Sequence, residues 1–255
     1  MSWNPEQYLK FSQPRLRPAL DLLARIPDDD PRSVYDLGCG AGNVTAILAQ
    51  RWPRASLVGV DSSAAMLAQA AKALPQVRWL QQSLAEWQPE RPAQVIYSNA
   101  ALHWLPDHAQ LLPSLVAKLA PGGVLAVQMP RNFAAPSHSL IATTVRVGPW
   151  RSKLEPLLRA PPVAEPADYH AWLAPRCASL DIWESEYLQV LTGTDPVKEW
   201  TKGTWLTQFL ERLDAAEAGA FEADYAQRLR AAYPPLPDGS TLFLFRRLFI
   251  VLRRA

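Results

Sequence analysis

SVYDLGCGAGNVTAILAQRW, residues 33 to 52, is the stretch from which the fold is read. It opens on a short apolar run, closes on apolar residues at helical spacing, and places three glycines between. SVYDLG predicts a strand, and VTAILAQRW a helix capped by Asn43. Gly38, Gly40 and Gly42 make a tight strand-to-helix turn with no Cβ to obstruct the close approach of a ligand. A glycine triplet alone also fits a tight strand-to-helix turn with no ligand.

The flanking chain repeats the pattern. Upstream, Leu16 to Ile26 reads as a helix. Downstream, SLVGVD is a second strand, Ser63 to Leu74 a helix, and VRWLQQS, AQVIYSN and GGVLAVQMP are further strands. Asp107 opens a helix that runs to Leu119, where Pro121-Gly122-Gly123 ends it. Strand alternating with helix at this spacing predicts an α/β wound sheet over residues 30–130, its parallel strands joined by right-handed crossovers. After Pro130 the rhythm breaks. Residues 131–165 are proline-rich with no long apolar period; a helix follows at 166–174, then the strand-like LDIWESEYLQVL. Residues 195–232 read as helical, and TLFLFRRLFIVLRR as a last strand forming a hairpin with the one before. The aromatic start (Trp3, Tyr8, Phe11) and insertions 131–165 and 195–240 are expected to form a lid on one domain spanning 1–255.

Totals exclude several classes. With 26 basic and 24 acidic residues the net charge is +2, which gives no electrostatic footprint for nucleic acid. Cys39 and Cys177 cannot build a disulfide framework and are expected to be reduced structural thiols. No apolar run approaches the roughly 20 residues that span a bilayer, so a cytoplasmic protein without membrane partners is expected, and a monomer. No metal site is expected.

Asp61 ends the second strand, 23 positions past Gly38. An acid there points into the crevice at the carboxyl ends of the strands and can accept both hydroxyls of an adenosine ribose. A dinucleotide fingerprint requires glycine or alanine where Asn43 stands. Asp36, two residues before the first glycine, supplies a negative charge that would repel a pyrophosphate and suits an ammonium. Together these favour S-adenosylmethionine over a nicotinamide dinucleotide.

Over the wound sheet the chain resembles class I methyltransferases, which implies a Rossmann-like, seven-stranded, mostly parallel sheet. The resemblance places Ser62 and Met66 beside Asp61 in the cofactor site. Ser83 and Leu84 fall at the adenine, where the family often has an acid. Asn99 and Ala100, in SNAALHWLPDH, fall in the loop beside the transferred methyl, with His103 and Trp104 positioning the reactants. A narrower resemblance extends outside the sheet: WNPEQYLKF, NAALHWLPDH, LAVQMP, DIW, YPP at 233–235 and RLFIV look like the trans-aconitate 2-methyltransferase family. It implies esterification of a carboxylate with S-adenosylmethionine as donor and S-adenosylhomocysteine as product.

A carboxylate is ionised at neutral pH and needs no general base. In-line positioning and exclusion of water suffice. Candidate holders of the acid are Arg247 as clamp, Lys202 and Trp200 in EWTKGT, and His138 and Tyr169 as hydrogen-bond donors; His108 reads as surface. Three departures from the family pattern leave the acid's identity open. Thr207 lies in WLTQ, which replaces a usual arginine; Arg131 replaces an acid, and Arg246 a common proline. Two rivals share the glycine loop. An NAD-dependent oxidoreductase lacks support from Asn43, and a non-catalytic cofactor-binding protein would show no substrate cavity.

Overall fold

A computed structural model describes residues 12–27 and 30–255; the segment with Trp3, Tyr8 and Phe11 lies outside the described residues. Seven strands form one sheet in the order β3-β2-β1-β4-β5-β7-β6. β1 (Ser33–Leu37), β2 (Ser56–Asp61), β3 (Arg78–Gln81), β4 (Ala93–Asn99) and β5 (Leu119–Pro130) are parallel. β6 (Cys177–Leu191) takes the edge, and β7 (Thr241–Arg254) runs antiparallel to β5. All five residues of β1 are buried, including Ser33 and Asp36, which is why apolar residues occupy both faces of the strand and do not alternate with exposed polar ones.

The helices are α1 (Ser12–Ala24), α2 (Asn43–Arg51), α3 (Ala64–Ala73), α4 (His108–Ala117), α5 (Pro136–Val147), α6 (Arg151–Leu154), α7 (Pro166–Leu173), α8 (Pro196–Lys202), α9 (Thr207–Leu210) and α10 (Ala215–Ala232). No helix among the described residues is long and apolar enough to cross a membrane. The chain forms two compact units. The larger holds Leu16–Pro130, Pro162–Ser185 and Arg247–Ala255. Its core is built on Leu37, Val60, Ile96, Leu125, Val127 and Leu252, all wholly buried. The smaller gathers Arg131–Pro161 and Glu186–Arg246. Its core sets Ile141 and Val145 of α5 with Phe221, Tyr225 and Leu229 of α10, all buried.

Three local expectations need correction. Asn43 is an exposed first residue of α2 and not its cap; Gly42, left-handed at φ 83°, takes that place without a side-chain bond. The glycine already turns the chain there, its N–H donating to the Cys39 carbonyl at 3.0 Å. The helix opened by Asp107 stops at Ala117, because Leu119 already pairs with Ala93. The Pro-Gly-Gly turn therefore lies inside β5, at a register shift between Ala93 and Val95. A Cβ on Gly123 would lie 2.8 Å from the Ala93 carbonyl oxygen. Finally, residues 131–165 contain the twelve-residue α5. Its buried face is Ser137, Ile141, Thr144 and Val145, half of it polar, so the apolar period that signals a helix is broken. Pro136 stands at its first turn, where a missing N–H costs nothing.

Candidate active site

β1 ends in the middle of the sheet, with β2 on one side and β4 on the other. At this switch in strand order the connections diverge and leave a crevice at the carboxyl ends. The Gly38 and Cys39 amides donate to the Val60 carbonyl at 2.8 and 3.1 Å, tying the glycine turn to the end of β2. Asp61, half-buried, accepts from the Gly40 amide at Oδ2 and from the Ser63 amide at Oδ1, each at 2.9 Å. Both oxygens are thereby aimed, and each keeps a second lone pair. Ser63 also caps α3, its hydroxyl accepting from the Met66 amide at 3.4 Å. Ser62 and Ser83 are exposed, and Met66 and Leu84 half-buried, around this turn.

The three glycines are bare for different reasons. A Cβ on Gly38 would meet the Ala101 Cβ at 2.1 Å, and one on Gly42 the Trp79 ring at 2.9 Å. Gly40 (φ +55°) has nothing within 4 Å. Only Gly40 thus faces open space, and the expectation of ligand approach narrows to it. Trp79, which the sequence did not single out, also covers Gly59, where a Cβ would sit 2.3 Å from its ring. The available signal was an aromatic residue on β3 in register with a strand glycine, Gly59↔Trp79.

Asp36 is buried at 2 % exposure and accepts the Thr45 hydroxyl at 2.6 Å. Burial pushes its carboxyl up to about 7; the Thr45 bond opposes this, and the Asp61 charge adds to it. The fixed charge expected from the sequence is therefore conditional: near neutrality Asp36 is about half protonated unless a cation faces it.

The ends of β4 and β5 carry a polar row. Asn99 and Gln128 are register partners, and Pro130 opposes Arg247. Alternation along the strands puts Asn99, Gln128 and Arg247 on one face. Arg247 is buried at 5 % exposure, and its Nη1 donates to Gln128 Oε1 at 3.3 Å. Ala100 takes a left-handed φ of 54°, its amide donating to the Gln128 carbonyl at 2.9 Å. A non-glycine residue there is strained. The next turn, Leu102–Trp104, sets the His103 and Trp104 rings 4.7 Å apart, with His103 buried and Trp104 half-buried.

His108 and Tyr169 overturn their sequence readings. His108 is buried, its Nε2 3.0 Å from the Leu102 carbonyl and its Nδ1 2.6 Å from the Tyr169 hydroxyl. A carbonyl only accepts, so Nε2 carries the proton and Nδ1 accepts from Tyr169. The tyrosine oxygen accepts from the Ala164 amide at 3.2 Å. Tyr169, wholly buried, thus spends its one proton on His108 and has none for a substrate.

The holders expected in the smaller unit are also engaged. Trp200 is a core residue at 2 % exposure, 5.7 Å from Phe243 and 5.8 Å from Phe245. Lys202 pairs with Glu222 at 2.8 Å. His138 lies 3.0 Å from the Ser137 hydroxyl and against Phe133, Trp205 and Phe245; burial pulls its pKa down to about 4. Arg246 is salt-bridged to Glu186 at 2.8 Å, and the Thr207 hydroxyl donates to the Lys202 carbonyl at 2.7 Å. Among the described residues no group of three His, Cys, Asp or Glu is placed to hold a metal ion.

This sheet order, with a glycine turn after β1 and an oriented acid at the end of β2, defines a class I S-adenosylmethionine-dependent methyltransferase. A family profile for a methyltransferase domain matches residues 34–123. Phosphoethanolamine N-methyltransferase 2 of Haemonchus contortus, solved with S-adenosylhomocysteine, superposes with a TM-score of 0.55 at 14 % identity, covering 94 % of this chain and 53 % of that one. The trans-aconitate 2-methyltransferase of Azoarcus sp. (strain BH72) is 49 % identical over 253 residues, 99 % of each chain. That of Methylobacterium radiotolerans is 44 % identical over 256 residues, 99 % of this chain and 98 % of the relative. The chain belongs to the trans-aconitate 2-methyltransferase family.

Proposed function

We propose that the chain esterifies a carboxylate of trans-aconitate with the methyl group of S-adenosylmethionine. The observation that carries this reading is the buried Arg247 guanidinium at the carboxyl end of the sheet that also holds Asp61. The names of the 49 % and 44 % identical relatives support the choice of acid.

The residues fit the donor. Asp61 presents two aimed oxygens to a ribose diol; Gly40 leaves open space above the turn; Asp36 waits for a cation. Asn99 Oδ1 is buried and has no hydrogen-bond partner, an acceptor left for a bound group. Ser62, Met66, Ser83, Leu84 and Ala100 complete this set in our assignment; Asn43, exposed on α2, contributes least. When bound, the donor supplies a sulfonium methyl whose C–S bond breaks as a carboxylate oxygen bonds the carbon, the electron pair staying on sulfur. Arg247 holds a non-reacting carboxylate of the acid, and His103 and Trp104 fix the approach line. The acid is already an anion, so no side chain need take a proton. Arg246, bonded to Glu186, and Lys202, bonded to Glu222, are assigned structural roles, and Arg247 is assigned the clamp from its burial and its place at the carboxyl end of the sheet. Insertions 131–165 and 195–240 are proposed to tune the choice of acid.

The test is a labelled methyl donor offered with a panel of di- and tricarboxylic acids. Base-labile label on trans-aconitate is the expected result. Label on a different class of nucleophile, with every acid left unmodified, overturns the reading. Arg247→Ala should raise the KM for the acid by on the order of a hundredfold, since the lost contact is charge-assisted, with donor affinity preserved.

A further inference from the structure

We infer that Gln128 is a specificity-determining residue that completes the carboxylate seat with Arg247. The inference rests on the reading of an acid substrate. Gln128 lies on β5 with no exposed surface. A guanidinium only donates, so the amide end facing Arg247 Nη1 at 3.3 Å must be Oε1. The NH₂ end therefore takes no part in that bond, and Nε2 is buried without a hydrogen-bond partner. A buried donor left unspent in a packed sheet calls for an explanation. It stands beside a buried cation, at the carboxyl end of the sheet, on the face it shares with Asn99 and Arg247.

A cation flanked by an unspent N–H pair is a seat for a carboxylate. The neutral amide matters as much as its donors. A glutamate here would still hold the guanidinium in place, but would set a negative charge beside the seat and repel an incoming anion. Glutamine holds Arg247 through a neutral oxygen and keeps its two Nε2 hydrogens for an incoming acceptor. A rival arrangement is a small rotation that pairs Nε2 with the unspent Asn99 Oδ1, which would make the amide a structural bridge only.

Substrate structure separates these outcomes. The wild-type enzyme, Gln128→Glu and Gln128→Met are assayed with a tricarboxylate and with the dicarboxylate lacking one non-reacting carboxylate. Donor binding by calorimetry confirms that each variant is folded. Gln128→Glu should raise the KM for the tricarboxylate by on the order of a hundredfold, and Gln128→Met by on the order of tenfold. In both, kcat and donor affinity should change little, and the preference for three carboxylates over two should collapse. A structural amide would lower activity on both acids alike; an unchanged tri-to-dicarboxylate ratio therefore overturns the inference. If wild-type enzyme methylates no carboxylic acid, the functional reading has failed instead.

Discussion

At Gly38 a methyl group would meet the Ala101 Cβ at 2.1 Å, whereas at Gly40 it would meet nothing within 4 Å. Both glycines have positive φ, so alanine carries backbone strain of roughly 1–2 kcal/mol at either. The clash adds to this only at Gly38. Gly38→Ala should therefore lower the melting temperature sharply, by overpacking that costs about 1–3 kcal/mol more. Gly40→Ala should melt close to the strain cost alone, yet weaken donor binding about tenfold or more, because the methyl occupies the ligand's side of the turn. Melting and calorimetry on the two variants check this; equal donor affinity in Gly40→Ala and wild type would remove the ligand from that side.

Asp36 gives a pH signature at the same scale. Its folded carboxyl is raised from 3.8 to about 7, so between those values the folded state binds more protons than the unfolded one. Stability from this group then falls as pH rises through that window, and the loss is complete above about 7. Asp36→Asn should flatten the pH dependence of stability between pH 4 and 7 and raise the melting temperature at pH 8. A variant less stable than wild type at pH 8 would show that the carboxylate is compensated when charged.

The loop after β4 and helices α4 and α7 are joined by the chain of bonds from Ala164 through Tyr169 and His108 to Leu102. Tyr169→Phe removes both bonds made by the hydroxyl and leaves His108 Nδ1 without its donor, at about 1–3 kcal/mol. It should lower kcat through a looser Leu102–Trp104 turn while sparing the KM for the acid, and steady-state kinetics would reveal it. A raised KM with unchanged kcat would return Tyr169 to the substrate. None of this was legible in the sequence, since the residues are 61 apart and a single histidine or tyrosine carries no periodic signal. The central strands were legible because burial on both faces leaves short, mostly apolar runs, as in Leu57 to Val60 of β2. So was the Asp61 position, because a strand end and a glycine turn fix it locally. Helix α5 was not, its buried face being half serine and threonine. The row of Asn99, Gln128 and Arg247 depends on register across three strands, which pattern along one strand does not encode.

At the scale of the molecule, the donor's contacts as assigned all fall in the larger unit, which contains Leu16–Pro130 and Arg247–Ala255. A ligand that binds only the folded chain stabilises it by mass action, about 2.7 kcal/mol at a hundredfold excess over Kd. For a chain of this size that corresponds to a melting shift of roughly 5–10 °C. S-adenosylmethionine and S-adenosylhomocysteine should both produce it, because the ribose and the amino-acid tail are common to them. A nicotinamide dinucleotide should not, since Asn43 and Asp36 oppose a pyrophosphate. Asp61→Ala should abolish the shift, as the two oxygens held by the Gly40 and Ser63 amides are then gone. Arg247→Ala should keep the shift in full, because the clamp acts on the acid and not on the donor. A melting series that showed the reverse, with Arg247→Ala losing the shift and Asp61→Ala retaining it, would mean the crevice is occupied in the opposite sense.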